Sequence, residues 1–203
     1  MLVNKTILRK LMKKTFRYGG LKVANIIDVD EKNYIYIGGT YWDFWCMPKF
    51  IPKEIKAAII EITGEIPEIG NAYRATKEEN QMLITETIPS LYGLKQIMTS
   101  PYYQTMLYQY QDDTLLNFLQ DKHKGIIAIN SAFTDMISEG TDDIMYGEGE
   151  CDETGVYAAD DCNTVLWTNN TGGLRAHAHY PSDMTGEKEL WTSLEDIRIP
   201  EKR

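Results

Sequence analysis

The stretch that decides the fold is Tyr34-Ile35-Tyr36-Ile37-Gly38-Gly39-Thr40-Tyr41-Trp42-Asp43-Phe44-Trp45-Cys46. Two runs of β-branched and aromatic residues flank a Gly-Gly turn signal, the pattern of two strands joined by a tight connection. In the second run, strand alternation puts Tyr41, Asp43 and Trp45 on one face and Trp42, Phe44 and Cys46 on the other. A strand apolar on both faces is covered on both, so it belongs in the middle of a sheet. The competing use of these rings is an exposed patch for a protein or ligand. We read them as core, because large side chains of this kind are mostly interior.

Working outward, residues 22–28 form a further β-like run, separated from residue 34 by the turn cluster Asp30-Glu31-Lys32-Asn33. Three short strands in succession make an antiparallel meander. Ahead of it, residues 2–17 place Ile7, Leu8, Leu11, Met12 and Phe16 on one side of a helix and the bases on the other, and Gly19-Gly20 stops the helix. Behind it, Pro52 stands where a helix start tolerates proline. Ile55, Ala58, Ile59 and Ile62 follow at the spacing of a core-facing stripe, and Gly64 closes the helix. Residues 69–75 and 82–88 read as strands and 90–98 as a short helix, ended by Ser100-Pro101.

In the second half, residues 105–111 alternate and read as a strand, although a helix also fits. Asp113 is placed to cap a helix containing Leu115, Leu116, Phe118 and Leu119. Gly125 leads into a strand over 126–130. Residues 138–162, rich in Gly and Asp and poor in large apolar side chains, read as a long loop or insertion. Residues 165–168 and 174–180 read as a hairpin around a turn at 169–173. Residues 187–199 form a last amphipathic segment.

These elements predict an α+β fold of antiparallel sheets with packed amphipathic helices, in two halves, 1–100 and 101–203, or one continuous domain. A duplication is suggested by Thr6–Leu11 and Thr114–Leu119. Each precedes a glycine stop and a strand, around Ala24 and Ala128, at offsets of about 104 to 108 residues. A helix followed by a meander, used twice, resembles the duplicated units of DNA sliding clamps. The resemblance is one of element order alone, and it implies a ring-closing homo-oligomer that assists DNA replication.

The chain of 203 residues is 43% hydrophobic and 25% charged, enough to bury a core without disulfides. Three cysteines, Cys46, Cys151 and Cys162, argue against a disulfide framework and for a reducing, cytoplasmic setting. No run approaches the roughly 18 apolar residues of a membrane span, and no secretory signal is apparent. The sequons at Asn4 and Asn169 are then without meaning.

The net charge of −9 is unevenly placed. Residues 1–24 carry seven bases (Lys5, Arg9, Lys10, Lys13, Lys14, Arg17, Lys22) and no acid. Residues 138–161 carry nine acids (Glu139, Asp142, Asp143, Glu148, Glu150, Asp152, Glu153, Asp160, Asp161) and no base. Such an acidic stretch repels nucleic acid and attracts basic surfaces. It can stand in for phosphates in the nucleic-acid channel of another protein, or it can be a solvated insertion. It does not give the ligand alternation of a helix–loop–helix calcium site. The basic helix can touch phosphates or an anionic membrane surface, be merely solvated, or pair with the acidic stretch.

His177 and His179 are the sharpest metal-binding candidates. Residues i and i+2 of a strand share a face, so both imidazoles can grip one divalent ion, with Asp183 close behind. Cys151, Cys162, Asp160 and Asp161 are further candidate ligands. Plain alternation explains the pattern equally well: Leu174, Ala176, Ala178 and Tyr180 inward, Arg175, His177 and His179 outward. No Gly-x-Ser-x-Gly elbow, phosphate-binding loop or dinucleotide fingerprint is present. The favoured expectation is a non-enzymatic acidic protein without a cofactor. It would bind a basic protein surface in the manner of small phage or mobile-element inhibitors of nucleic-acid-binding proteins. A clamp-like replication factor and a metal-dependent enzyme centred on His177 and His179 are the alternatives.

Overall fold

The computed structural model describes residues 3–28, 30–78, 80–83, 88, 90–91, 98–111, 113–138, 155–159, 164–179, 181 and 186–202. Helix α1 (Lys5–Tyr18) starts where Asn4 Oδ1 accepts hydrogen bonds from the N–H groups of Thr6 and Ile7. The first sequon is thus a helix cap. Strands β1 (Leu21–Ile27), β2 (Asn33–Gly38) and β3 (Trp42–Cys46) form the expected meander. A 3₁₀ turn (Pro48–Phe50) leads to α2 (Lys53–Thr63), which Gly64 ends at φ 86°. Strands β4 (Ala72–Ala75) and β5 (Asn80–Leu83) return along β1. The expected helix over 90–98 lies mostly outside the described residues.

The second half runs β6 (Met98–Gln111), β7 (Thr114–Asp121), β8 (Ile126–Asn130), α3 (Ser131–Ser138), β9 (Gly155–Ala159), β10 (Thr164–Asn169), β11 (Gly172–His177) and α4 (Glu187–Glu195). Two expectations fail here. Residues 114–121 are a strand, not an Asp113-capped helix. Leu115, Leu116, Phe118 and Leu119 imitate a helical stripe because this strand is covered on both faces, so its apolar residues do not alternate. Asp113 sits at φ 60°, in the hairpin turn between β6 and β7. The stretch 138–162 is not all loop, since Gly155–Ala159 is a strand between β10 and β6. Helix α3 had no expectation attached to it.

All strands join one antiparallel sheet of order β5-β4-β1-β2-β3-β11-β10-β9-β6-β7-β8. The residue-100 boundary falls inside β6, and this sheet spans both halves. Beyond β11 the chain crosses to the far edge: His179 N–H donates to Ala128 O of β8 at 2.8 Å. The strands from β11 round to β8 therefore curl into a ring closed at one point.

Helices α1, α2 and α3 cover one sheet face. Leu8 and Met12, Ile55 and Ile59, and Phe133 and Met136 join Val23, Ile37, Phe44, Trp167 and Leu174 in the largest apolar cluster. Each fully buried side chain of this kind contributes about 1.5–3 kcal/mol. On the other face Tyr34, Tyr36 and Trp45 pack with Leu166 and Leu91. Helix α4 covers β7 and β8 there, with Trp191 edge-on to Phe118 at 5.2 Å.

The structure shows a recurrence of element order at a different offset. Thr6–Leu11 is helix and Thr114–Leu119 is strand, so those segments are not equivalent. The recurring unit is α1 with β1–β3, and α3 with β9–β11. At one constant offset Ile35, Ile37, Phe44 and Cys46 correspond to Val165, Trp167, Leu174 and Ala176, all on the helix-covered face. Tyr36 and Leu166 correspond on the other face. The two units meet at β3 and β11, with Phe44 opposite Leu174.

Candidate functional site

Both histidines singled out by the sequence sit at the place where the sheet closes. Strand β11 ends at His177, whose N–H donates to Tyr41 O at 2.9 Å, and two residues later His179 reaches β8. His177 is exposed and its ring meets that of Tyr41 edge-on at 6.1 Å; His179 is half-buried. The two imidazoles line one cleft of about 640 Å³. The last turns of α1 form one wall with Lys14, Thr15 and Tyr18, and Thr40, Tyr41 and the first residue of β3, Trp42, form the floor. The start of β7, Asn130 and Phe133 complete it.

Local chemistry holds this wall in place. Trp42 Nε1 donates to Thr15 Oγ1 at 3.0 Å, tying β3 to α1. Gly39 permits the approach: a Cβ there would stand 2.7 Å from Trp42 Nε1 and 2.8 Å from the Thr15 methyl. The Gly38-Gly39 pair is thus a steric requirement of the cleft as well as a turn.

Among the described residues no three His, Cys, Asp or Glu side chains are grouped to hold a metal ion. Asp183, Cys151, Cys162 and all nine acids of the expected acidic surface (Glu139, Asp142, Asp143, Glu148, Glu150, Asp152, Glu153, Asp160 and Asp161) lie outside the described residues. Among the described residues neither imidazole is hydrogen-bonded to a hydroxyl, thiol or carboxylate, the pairing that activates a nucleophile.

The basic stripe of α1 has a partner that sequence reading missed. Lys5 pairs with Glu54 at 3.1 Å, and Lys13 and Arg9 pair with Glu61 at 2.6 and 3.6 Å. Both carboxylates lie on α2, beside α1 in the helical layer. The Lys13 hydrogen bond holds the Glu61 carboxyl below the usual range. Glu54 is lowered first by its backbone hydrogen bond in the first turn of α2 and then by Lys5.

A buried charge cluster was also missed. Asp43 stands opposite Arg175 in the β3–β11 register. It accepts hydrogen bonds from the Arg175 guanidinium on Oδ2 and from Tyr36 OH on Oδ1. Arg175 therefore does not point into water as alternation implied. Burial, and then the Asp43 charge, push the Tyr36 phenol far above its ordinary pKa. The only local signal was an acid inside a five-residue apolar strand, which demands a partner. The partner lies 132 residues away, and nothing in the sequence names it. The second sequon is likewise structural: Asn169 Oδ1 accepts from the N–H groups of Thr171 and Gly172 in the β10–β11 turn.

No family model matches this sequence, and no curated protein or solved structure matches it. No helix among the described residues is long and apolar enough to cross a membrane.

Proposed function

We propose that the protein acts by binding, and that the acidic segment between Glu139 and Asp161 engages the basic surface of a nucleic-acid-binding protein, as a substitute for phosphates. The observation that supports this reading is the ion pairing of α1. The sequence offered the basic helix as an internal partner for the acids. Lys5, Arg9 and Lys13 are instead engaged by Glu54 and Glu61 of α2. Three of the seven N-terminal bases already have partners, so α1 is a poorer counterweight to nine acids than its composition suggested. An excess of one sign that is not neutralised at home favours encounter with the opposite sign elsewhere.

The test is competition. A panel of basic DNA-binding proteins is loaded with a labelled duplex, and the chain is titrated in at low and raised salt. Release of the duplex from at least one of them at low salt is expected. It should be lost at raised salt and in a variant with the nine acids changed to Asn and Gln. Equal competition by that variant, or no release from any member of the panel, sinks the reading.

A second reading is a clamp-like replication accessory factor. It is favoured by the recurrence of the helix-plus-meander unit, with α1 and α3 adjacent on one sheet face; Asn4 N–H donates to Met136 O at 2.8 Å. A clamp closes into a ring, so sedimentation should find a discrete homo-oligomer. A strict monomer at micromolar concentration removes this reading and leaves the first untouched.

A further inference from the structure

We propose that the cleft between the end of α1 and the closing point of the sheet binds a small aromatic anion of the nucleoside monophosphate class. Its volume, about 640 Å³, lies within the range of small-molecule sites, roughly 300–1,000 Å³. In a chain of net charge −9, none of the described residues lining this cleft is an acid. The lining offers instead the Lys14 ammonium, two imidazoles and the Asn130 amide. These are the donors that hold a phosphate. Lys14 is set apart from its neighbours on α1. Lys5, Arg9 and Lys13 are drawn to α2, whereas Lys14 faces the cleft with no ion pair among the described residues.

The aromatic half of the ligand is called for by the mouth. Tyr18 and Tyr41 line the cleft at 83% and 68% exposure, a costly placement for large rings unless they cover something. Tyr41 is steadied by the edge of His177, and Trp42 is fixed to Thr15, so this wall is preformed. Such rings are platforms on which a nucleobase of any kind can stack. His179 Nε2 is buried without a hydrogen-bond partner among the described residues. Buried ring nitrogens are nearly always paired, so this imidazole has a hydrogen bond still to make beside the cleft that it lines.

The experiment is a calorimetric and ligand-observed NMR titration of the full chain. The probes are AMP, GMP, CMP and UMP, with ribose 5-phosphate and inorganic phosphate as controls lacking the base. At least one nucleotide should bind, and ribose 5-phosphate should bind at least tenfold more weakly. Lys14→Ala and Tyr41→Ala should each weaken nucleotide binding about tenfold with an unchanged melting temperature, since both side chains are exposed. Lys188→Ala, on α4, should bind as the parent does. The proposal is overturned by the absence of binding at millimolar nucleotide, or by equal binding of inorganic phosphate. Affinity that survives both cleft substitutions overturns it too. So does near-stoichiometric metal that disappears in the His177→Ala, His179→Ala variant, which would assign the two imidazoles to a metal ion. The competition test of the acidic segment uses none of these residues, so the two proposals fail separately.

Discussion

Strands β3 and β11 occupy equivalent places in the two helix-plus-meander units and lie side by side, yet their side chains are opposites. Strand β3 carries Trp42, Asp43 and Trp45; the equivalent positions of β11 are Gly172, Gly173 and Arg175. In the observed register both tryptophans meet small residues: Trp45 faces Gly173, and Trp42 faces Ala176. The one acid meets the one base, Asp43 against Arg175. Paired with a copy of itself, β3 would set Asp43 beside Trp45 and leave two buried carboxylates without cations. The difference between the strands therefore specifies the seam: it rewards the union of the two units and penalises like with like.

The largest expected effect comes from breaking the charge pair. Arg175→Ala leaves Asp43 buried and uncompensated, and should cost about 3–5 kcal/mol, a fall in melting temperature of roughly 10 °C. Changing both partners to leucine should recover much of that loss. No recovery would mean that the pair specifies the register as well as balancing charge.

Gly173→Val tests the large-against-small rule. A Cβ at Gly173 falls within the indole of Trp45, so the ring must leave its place. Overpacking of this kind costs roughly 1–3 kcal/mol in denaturant titrations. A parent-like midpoint would show that Trp45 has a second site to occupy, and the complementarity argument would fall.

Tyr36→Phe removes the donor to Asp43 Oδ1 and should cost about 1–2 kcal/mol. The same cluster predicts alkaline sensitivity. Tyr34 and Tyr36 both have phenols raised in the folded chain, chiefly by burial. The unfolded chain ionises first, so stability is complete below about pH 10 and declines as pH rises above it. Tyr36→Phe should flatten that decline when the midpoint is followed from pH 9 to 11.

The smallest effect belongs to the exposed pairs between α1 and α2. Glu61→Gln should leave the melting temperature at neutral pH within experimental scatter, because such pairs are screened. The lowered Glu54 and Glu61 carboxyls make a contribution that is present above the ordinary glutamate range and fades as pH falls through it. A large loss in this variant would erase the contrast between seam and surface.

Much of the architecture was legible because it depends on local chemistry. The α1 stripe, the Gly19-Gly20 stop, the three-stranded meander and the α2 core face are set by periodicity and turn residues within a few positions of each other. The density of rings from Trp42 to Trp45 indicated a central strand, and every residue of β3 is buried. Strand β7 was misread because cover on both faces removed its alternation. Its buried polar residues have distant purposes. Asn117 bonds the carbonyls of Thr105 and Leu107 across the β6 irregularity, and Gln120 accepts from the N–H of Ile199 near the C-terminus.

The sequence by itself determined the α+β class, helices α1 and α2 with their glycine stops, the meander between them, and the two charge clusters. Each rests on residues close together in the chain. Only the tertiary structure decided which units recur in element order, that β3 joins β11, that Asp43 meets Arg175, and that Lys14, Tyr41, His177 and His179 share one cleft. The seam joins residues more than a hundred positions apart, and the cleft brings Lys14 and Tyr41 to histidines equally distant in the chain. Their energies appear only once the chain has closed, so no local pattern could carry them.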